Sequence, residues 1–407
     1  MKVGIFSDPH LGFDSKGERK EESFENLKQA LELCIQNNVD FVLLCGDIFD
    51  IPSPSHNELY KSLECFAVAK KNNSKVNISI SKKNELKNVN CEGLPVLVIH
   101  GNHEFAGKDN KTALDILSLS GLVVYFHAAK ACVEKDDEKV FVHGLGAVPE
   151  KKALEALQLW NPKPELNSVN ILALHQTFKE FMAISDEMVA TLSLDDLPKG
   201  FDLMVNGHLH WNNEQKLGNQ IFLLPGSTIA TSIKKLECEK PKGVFFFETK
   251  TKELSFEALP LQRKMFYHRL KFDSASIDEV IQKCRKEIEN DLNFEHKIKP
   301  LIRLNLKGTL KKGLSSGDIN INEISAGFLD AVIFSISKNF SNTSFKRKIS
   351  ELRDIQKSKL SVASRGFEIL EKNLTETDFE NAFDAKKIFD LLSEGKSDEV
   401  LELIQKD

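Results

Sequence analysis

A chain of 407 residues with 41% hydrophobic side chains can bury a large core over two or three domains, yet none of its apolar runs approaches the roughly 20 residues of a membrane helix. The mild net charge of −5 excludes a strong global attraction to nucleic acid, so any polyanion must meet local basic patches. The 7 cysteines include no C-x-x-C pair and predict reduced thiols in a cytoplasmic protein, not a disulfide framework or a zinc finger.

The beginning of the chain predicts a strand–helix–strand unit. Met1 leads into an apolar run, residues 3–6, that is typical of a buried strand and not of a signal peptide. Apolar residues recur at helical spacing over 24–34, and the apolar run 39–45 predicts the next strand. In such a unit, the loops at the carboxyl ends of the strands are the usual place for an active site. These two loops contain Asp8, His10 and Asp47.

Two helices, an insertion and a strand are predicted next. Residues 55–58 form a capping box ahead of an amphipathic helix. Residues about 70–92 are rich in Lys, Asn and Ser, which indicates an exposed insertion with room for a short strand at 76–80. The apolar run 94–99 returns to the sheet, and a short helix is predicted at 112–119. Directly after that strand come Gly101, Asn102, His103 and Glu104.

The pattern becomes strand-rich from Gly121 onward. Seven short apolar segments predict strands at 122–126, 140–142, 170–174, 202–205, 221–224, 244–247 and 254–258. His175 follows the third segment, and the Gly-His-Leu-His sequence 207–210 follows the fourth. This layout predicts two packed sheets with helices outside, a four-layer α/β/β/α sandwich over residues 1–265.

Carboxylates, an amide and imidazoles from five strand ends form one candidate site. Its members are Asp8, His10, Asp47, Asn102, His103, His175, His208 and His210. Oxygen and imidazole ligands without thiolate suit Mn²⁺, Fe²⁺, Zn²⁺ or Mg²⁺, and Mn²⁺ fits this mixture best. Since one ion cannot use so many ligands, we expect two ions roughly 3.5–4 Å apart, bridged by a carboxylate and activating a water toward phosphorus. Hydrolysis of a phosphate ester is the predicted reaction.

Each histidine alone has a structural interpretation as well. A single histidine at a strand end is usually a packed core residue, and His100, His127 and His143 can be such cases. The His-x-His pair at 208–210 alone favours neither interpretation. The order of the whole set carries the prediction, because each of its motifs follows an apolar strand.

This ordered set resembles the calcineurin-like metallophosphoesterase superfamily over about the first 265 residues. The resemblance implies the four-layer sandwich and a dinuclear metal centre. By motif position, it implies that one metal is bound by Asp8, His10, Asp47 and His210. It implies that the second is bound by Asp47, Asn102, His175 and His208. His103 would then lie beside the substrate, where it protonates the leaving oxygen or stabilises the transition state, and Glu104 would support the turn.

The residues after Asp47 favour one branch of the superfamily. Protein serine/threonine phosphatases carry a phosphate-binding arginine soon after this motif, and no arginine follows here. Instead, the sequence G-D-I-F-D at 46–50, with P-S-P-S at 52–55, resembles the SbcD-type nucleases, the Mre-eleven family of double-strand-break repair. Asp50 stands where some archaeal and eukaryotic members have histidine, which is a departure from the family pattern.

The rest of the chain fits this branch. Residues 266–340 predict a small α/β domain, which the resemblance makes a capping domain that contacts DNA. Residues 341–374 predict a polar linker, and residues 375–407 predict two amphipathic helices around Gly395. The resemblance implies that these helices dock on the coiled coil of an SMC-like ATPase of the SbcC or Rad-fifty type.

Six basic residues of this capping domain, with no acidic residue between them, are candidate DNA contacts: Lys297, Lys299, Arg303, Lys307, Lys311 and Lys312. Such a run is usually just a solvated face. Beside a phosphodiesterase site it also indicates sequence-independent, salt-sensitive binding to DNA phosphates.

The expected protein is a DNA nuclease with two Mn²⁺ ions per chain, with Mg²⁺ or Fe²⁺ as alternatives. It would act as an exonuclease on duplex ends and an endonuclease on single strands, without membrane contact. Helices 55–70 and 112–119 occupy the positions by which family members form homodimers, although their apolar faces could equally be core. One alternative is a small-molecule phosphodiesterase or phosphatase, which would not use the basic run. A metal-free scaffold is the other, and it is disfavoured because no ligand position is lost.

Overall fold

The computed structural model describes residues 1–72, 74–83, 85–104, 111–182, 192–341, 386–387, 390–391 and 395–404. The chain divides into two compact units. The first comprises Met1–Arg269, Lys283–Asn305 and Ile321–Ser337. The second comprises Leu270–Gln282, Leu306–Asn320 and the described residues from Lys338 onward. The domain boundaries proposed from the sequence stay predictions.

The strands of the described residues are β1 (Lys2–Phe6), β2 (Phe41–Cys45), β3 (Asn77–Lys82), β4 (Glu85–Val89), β5 (Val96–Ile99), β6 (Val124–Tyr125), β7 (Ala129–Lys135), β8 (Glu138–Leu145), β9 (Val169–Leu174), β10 (Leu203–Asn206), β11 (Asn213–Leu217), β12 (Gln220–Leu224), β13 (Gly243–Glu248), β14 (Glu253–Ala258), β15 (Met265–Ala275), β16 (Leu301–Leu310) and β17 (Ile333–Phe340). Their α-helices are α1 (Glu22–Gln36), α2 (His56–Ala67), α3 (Ala113–Leu119), α4 (Ala153–Trp160), α5 (Lys235–Cys238), α6 (Ile277–Leu292), α7 (Ile321–Ser325) and α8 (Ser397–Ile404).

A six-stranded sheet in the first unit has the order β14-β13-β1-β2-β5-β6. Its strands β1, β2, β5 and β6 run parallel, and β13 and β14 run antiparallel to their neighbours. Val3 pairs with Phe41 and Phe6 with Leu44, on either side of α1 in the chain. The predicted β–α–β unit is therefore confirmed.

An eight-stranded sheet has the order β11-β12-β10-β9-β8-β7-β3-β4, with β8, β9, β10 and β12 parallel. The segment predicted as an exposed insertion is more regular than expected, because its hairpin β3–β4 pairs with β7 and extends this sheet. Ile78 is buried, and it alternates with polar residues as a half-buried strand requires. The short strand expected at 76–80 corresponds to β3, whereas β4 and the pairing with β7 were not predicted.

Three apolar layers hold the first unit together. Val42 and Leu44 of β2 pack toward α1, α2 and α3, whereas Leu43 and Cys45 point to the other side and pack between the two sheets. Leu172 and Leu174 of β9 pack in the third layer with Ala153 and Leu157 of α4. Each large apolar side chain that is fully buried in this way contributes about 1.5–3 kcal/mol. The order helix, sheet, sheet, helix confirms the predicted four-layer sandwich.

Two helix starts follow their sequence signals. Ser55 and Glu58 form the predicted capping box of α2, and Thr112 and Asp115 form one at α3. Caps of this kind stabilise a helix by about 0.5–2 kcal/mol, because they satisfy N–H groups that lack intrahelical partners. Over the described ranges, no helix has the length and apolar character needed to cross a membrane.

A third sheet has the order β15-β16-β17. Strand β15 was not predicted, because polar residues occupy many of its positions. The predicted linker 341–374 and the predicted terminal helices 375–407 lie largely outside the described residues. Within the linker only Ser341 is described, and α8 is the main described part of the terminal helices. Apolar residues of the predicted terminal segment that lie outside the described residues include Phe379, Phe383, Phe389 and Leu392.

Candidate metal centre

Five strand ends deliver the predicted site residues to one edge of the sandwich. Strands β1, β2 and β5 belong to the six-stranded sheet, and β9 and β10 belong to the eight-stranded sheet. Directly after them, in that order, come Asp8 and His10, Asp47, Asn102 and His103, His175, and His208 and His210. Parallel strands place their carboxyl ends at a common edge, which is why residues so distant in sequence meet.

One group of donor atoms forms around His10. One potential ligand atom from each of Asp8, His10 and His210 lies within 4.8 Å of the other two. The Nε2 atoms of His10 and His210 are 3.2 Å apart, and Nε2 of His210 lies 4.0 Å from Oδ1 of Asp8. Oδ2 of Asp47 lies 3.9 Å from Nε2 of His10 and so adds a second carboxylate.

A second group forms around His175. Asp47, His175 and His208 also bring one potential ligand atom each within 4.8 Å of one another. Nε2 of His175 lies 3.3 Å from Oδ2 of Asp47. Oδ1 of Asn102 lies 3.2 Å from Nε2 of His175 and 3.0 Å from Nδ1 of His208. Asp47 therefore faces both groups, as a bridging carboxylate must.

Asp47 is held in its ionised form. Burial by itself raises the pKa of its carboxyl, but the imidazoles of His175 and His10 lower that pKa well below its usual range. The opposite balance applies to His175: burial lowers its pKa, but Asp47, Asp8 and the carbonyl of Cys45 together outweigh burial and raise it to about 10. The space between these side chains thus stabilises positive charge.

In two of the imidazole rings, Nδ1 already donates a hydrogen bond to a neighbouring oxygen. Nδ1 of His175 donates to the carbonyl oxygen of Cys45 at 2.7 Å, and a carbonyl can only accept. Nδ1 of His10 donates to Oδ1 of Asp50 at 3.1 Å. Their Nε2 atoms are left to point inward. An outer acceptor of this kind fixes the tautomer and direction of an imidazole that binds a metal.

The oxygen and nitrogen atoms of the two groups are chemically suitable ligands for divalent ions. Carboxylate oxygens, an amide oxygen and ring nitrogens face one another, and such a crowd of acceptor atoms requires cations or protons between them. Burial lowers the pKa of His208 to about 4 and that of His210 well below its usual value, so both are neutral near pH 7, the form that binds metals. The absence of thiolate from the described groups favours hard or borderline ions.

The backbone at this edge is strained. Four of the predicted ligands have left-handed φ angles: Asp8 at 52°, His10 at 45°, Asp47 at 47° and His208 at 75°. Non-glycine residues in this region cost on the order of 1–3 kcal/mol each and are typical of functional sites. The N–H of His208 donates to Oδ1 of Asp8 at 3.0 Å, which helps to hold two of these residues in place.

His103 and Glu104 differ from the other members of the turn. Nδ1 of His103 donates to the carbonyl oxygen of Asp50 at 2.6 Å, and its Nε2 lies 4.0 Å from Oδ2 of Asp47. Glu104 is buried and accepts from the N–H groups of Phe49 at 2.8 Å and Gly101 at 2.7 Å. Glu104 therefore ties the turn after β5 to the turn after β2.

The three histidines with a structural interpretation lie outside these groups of described residues. His100 donates through Nε2 to the carbonyl oxygen of Ala147 and contacts the hydroxyl of Tyr125. His127 accepts from the N–H of Gly146, and His143 is buried. Burial lowers the pKa of all three.

The candidate DNA-contact residues are divided between the two units. Lys297, Lys299 and Arg303 belong to the first unit, and Lys307, Lys311 and Lys312 to the second. Several have protein partners: Lys299 lies 3.3 Å from Glu18, Lys311 lies 3.9 Å from Glu279, and Arg303 donates to Ser335.

Sequence patterns missed several residues around the site. Asp50 was noted only as a departure from the family, yet it contacts both His10 and His103. Glu237 and Lys242 form a buried pair beside His210, in a segment without any recognisable motif. Their proximity depends on the packing of the segments after β10 and β12, which no local spacing records.

Residues 1–212 match the calcineurin-like phosphoesterase family. The chain belongs to this family. The superfamily predicted from the ordered motifs is therefore confirmed, and the fold and its donor groups support divalent metal ions at this edge of the calcineurin-like sandwich.

Among relatives, the chain is similar to proteins named double-strand break repair protein MRE11. It is 32% identical to the one from Oryza sativa subsp. indica over 310 residues, which cover 66% of this chain and 43% of the relative. For Rattus norvegicus the identity is 27%, with 100% and 64% covered, and for Homo sapiens it is 29%, with 75% and 50% covered. The chain spans about half the length of the curated relatives it matches. The predicted resemblance to the Mre-eleven type is confirmed.

Proposed function

We propose that this calcineurin-like phosphoesterase is a DNA nuclease of double-strand-break repair that works with two Mn²⁺ ions. The observation that carries the proposal is the convergence of donor atoms around His10 and around His175, with Oδ2 of Asp47 lying 3.9 Å from Nε2 of His10 and 3.3 Å from Nε2 of His175. One metal would be bound by Asp8, His10, Asp47 and His210, and the other by Asp47, Asn102, His175 and His208. Similarity to repair proteins supports DNA as the substrate.

Ions bound there would stabilise the charge that develops on a phosphate and lower the pKa of an attacking water. The chain itself orients the reacting groups. His103 has a side chain 35% exposed, against 2% for His10 and 0% for His175, so it is more open to a substrate than those two imidazoles. Because Nδ1 of His103 donates to the carbonyl oxygen of Asp50, Nε2 is the nitrogen left to face the leaving oxygen.

DNA would also be held by the basic residues of the proposed capping domain. Lys297, Lys311 and Lys312 are exposed, as phosphate contacts require. Such contacts bind DNA without regard to its sequence, and binding weakens as salt is added. Each contact makes the plot of log K for binding against log salt concentration steeper by about 0.9. This supports action on many different DNA ends.

The proposed assembly is a homodimer with an SMC-like ATPase in the cytoplasm. Helices α2 and α3 present Tyr60, Ile116 and Leu119, which are 59%, 45% and 91% exposed, while Leu114 and Leu117 are buried in the core. The exposed apolar side chains support contact with a second copy. The segment 375–407 would dock on the coiled coil of the ATPase. The 7 cysteines form no disulfide, which supports a reducing compartment.

The test of activity is direct. Purified chain with Mn²⁺ should degrade linear duplex DNA from its ends and cut single-stranded DNA, and EDTA should abolish both reactions. Efficient hydrolysis of a phosphoprotein or a small phosphodiester, without cleavage of either DNA, would overturn the DNA assignment.

The test of the assembly is separate. A coiled-coil ATPase of the same cell should co-purify with the full chain and be lost after truncation before Thr377. Retention of the ATPase by the truncated chain would refute the proposed docking role of the terminal segment.

A further inference from the structure

Polar side chains surround His210 on the side of its Nδ1 atom, and no role has been assigned to them so far. Its Nδ1 lies 2.8 Å from the hydroxyl oxygen of Thr231 and 4.0 Å from Oε1 of Glu237. Its carbonyl oxygen accepts from Nζ of Lys242 at 2.6 Å. The ring and the backbone of this residue are therefore contacted from the same side.

Glu237 and Lys242 form a buried ion pair behind this ring. Their exposed fractions are 1% and 7%, and Nζ of Lys242 lies 3.1 Å from Oε2 of Glu237. Lys242 also donates to the hydroxyl of Ser227 at 2.9 Å, and Oε1 of Glu237 accepts from Ser232 at 2.9 Å. The three protons of the ammonium group thus have three acceptors. Buried pairs of this kind add little net stability, so a role in fixing geometry explains this one better.

Nδ1 of His210 has a polar partner, as Nδ1 of His175 and of His10 do, but the kind of partner differs. His175 has the carbonyl of Cys45 behind Nδ1, and His10 has the carboxylate of Asp50 there. Behind His210 stands a hydroxyl, which can donate or accept and so cannot select the tautomer alone. The hydroxyl of Thr231 and Oε1 of Glu237 both present oxygen lone pairs on the side of Nδ1, which favours a proton on that nitrogen.

The consequence is a directed lone pair. With the proton on Nδ1, Nε2 of His210 is unprotonated and faces Nε2 of His10 at 3.2 Å and Oδ1 of Asp8 at 4.0 Å. We propose that Glu237 and Thr231 are positioning residues that hold His210 in this tautomer, with Lys242 fixing its backbone, so that Nε2 can bind a divalent ion. This inference rests on the metal centre of the proposed function.

The experiment is Mn²⁺ binding to the purified full-length chain, measured by calorimetry without DNA. Glu237→Gln and Thr231→Val should weaken one of the two Mn²⁺ binding steps about 10- to 100-fold, the usual effect of losing an outer partner of a ligand. Thr231→Ser should restore binding, because it returns the hydroxyl. Thr228→Val is the matched control, since the buried hydroxyl of Thr228 has no hydrogen-bond partner among the described residues.

The outcomes separate the two proposals. If the natural chain binds no Mn²⁺, the proposed metal centre fails, and this inference fails with it. If the natural chain binds Mn²⁺ and both variants bind equally tightly, the positioning role is overturned while the proposed function stands. Equal weakening of both binding steps would also overturn it, since that indicates general disruption. If Glu237→Gln does not fold, Thr231→Val and its rescue by serine decide, because Thr231 is partly exposed and valine has nearly its shape.

Discussion

Oδ2 of Asp47 lies 3.3 Å from Nε2 of His175, although Asp47 follows a strand of the six-stranded sheet and His175 follows a strand of the eight-stranded sheet. Side chains from the two sheets are therefore in direct contact at the candidate metal centre. Each group of donors has members from both sheets, so any change that separates the sheets at this edge must pull apart the donors within each group.

Asn102 and His103, neighbours in the turn after β5, should have different functions. Asn102→Ala removes an oxygen that lies near both His175 and His208, so it should weaken one Mn²⁺ binding step by more than about tenfold. His103→Ala should keep both metals and DNA binding but lower single-turnover cleavage about 10²- to 10⁴-fold, the typical effect of losing a general acid. Calorimetry, gel shift and cleavage kinetics measure these quantities. Asn88→Ala on the exposed strand β4 is the control, and equal metal loss in the Asn102 and His103 variants would show that the division is wrong.

A methyl group at Gly101 should displace Asp47 and so disturb the candidate metal centre. A Cβ atom there would lie 2.0 Å from Oδ1 of Asp47 and 2.3 Å from its backbone nitrogen, so Asp47 must move. Because Asp47 faces both donor groups, Gly101→Ala should weaken both Mn²⁺ binding steps. At Gly121, where φ is +69° and a Cβ would meet nothing within 4 Å, alanine should cost only backbone strain of about 1 kcal/mol and leave metal binding intact. Unchanged Mn²⁺ affinity in Gly101→Ala would contradict this account.

Glu104 should stabilise the fold through its two backbone hydrogen bonds. Glu104→Gln replaces one acceptor oxygen by an NH₂ group, which then faces the N–H of Phe49 or Gly101 as donor against donor. We expect a loss of about 1–3 kcal/mol in the free energy of unfolding, measured with urea. Glu32→Gln, on the exposed side of α1, should change that free energy by much less. Equal stability of the two variants would refute the role of Glu104.

His268 should make stability depend on pH. Nε2 of His268 lies 2.7 Å from Oδ2 of Asp291, and its Nδ1 lies 3.8 Å from Oε2 of Glu287, all within the first unit. The hydrogen bond to Asp291 raises the pKa of His268 above its usual value, although burial opposes it. A raised pKa means that the stabilisation is fully present below about pH 6.5, the usual histidine pKa, and is lost as pH rises through the folded-state value.

The measurement is the free energy of unfolding of the natural chain minus that of His268→Gln between about pH 6 and pH 8.5. Because the pair is partly exposed, we expect this difference to be under about 1 kcal/mol and to shrink with rising pH. A difference that grows with pH would contradict the assigned interaction.

The convergence of the candidate site residues was predictable because these residues follow apolar strands directly. Asp8, Asp47 and His175 each stand within a few residues of a buried run, and parallel strands bring such positions together whatever their separation in the chain. The local signals of strand and turn therefore contained most of the site.

Features that depend on tertiary packing were not predictable in this way. Strand β4 is too polar to be predicted from its sequence, and the place of the hairpin β3–β4 in the eight-stranded sheet depends on pairing with β7. The pair Glu237–Lys242 has no motif, since its geometry relative to His210 arises only after the segments following β10 and β12 pack together. Contacts between separate segments carry no periodicity that a single sequence reveals.

The most direct test of the account is the number of Mn²⁺ ions bound per chain, measured by metal analysis after equilibrium dialysis. The natural chain and Asp195→Ala, which changes an exposed aspartate, should bind two ions. Asp47→Ala should bind one ion at most, because it removes the carboxylate that both donor groups share. No bound metal in the natural chain, or two ions still bound by Asp47→Ala, would contradict the central claim.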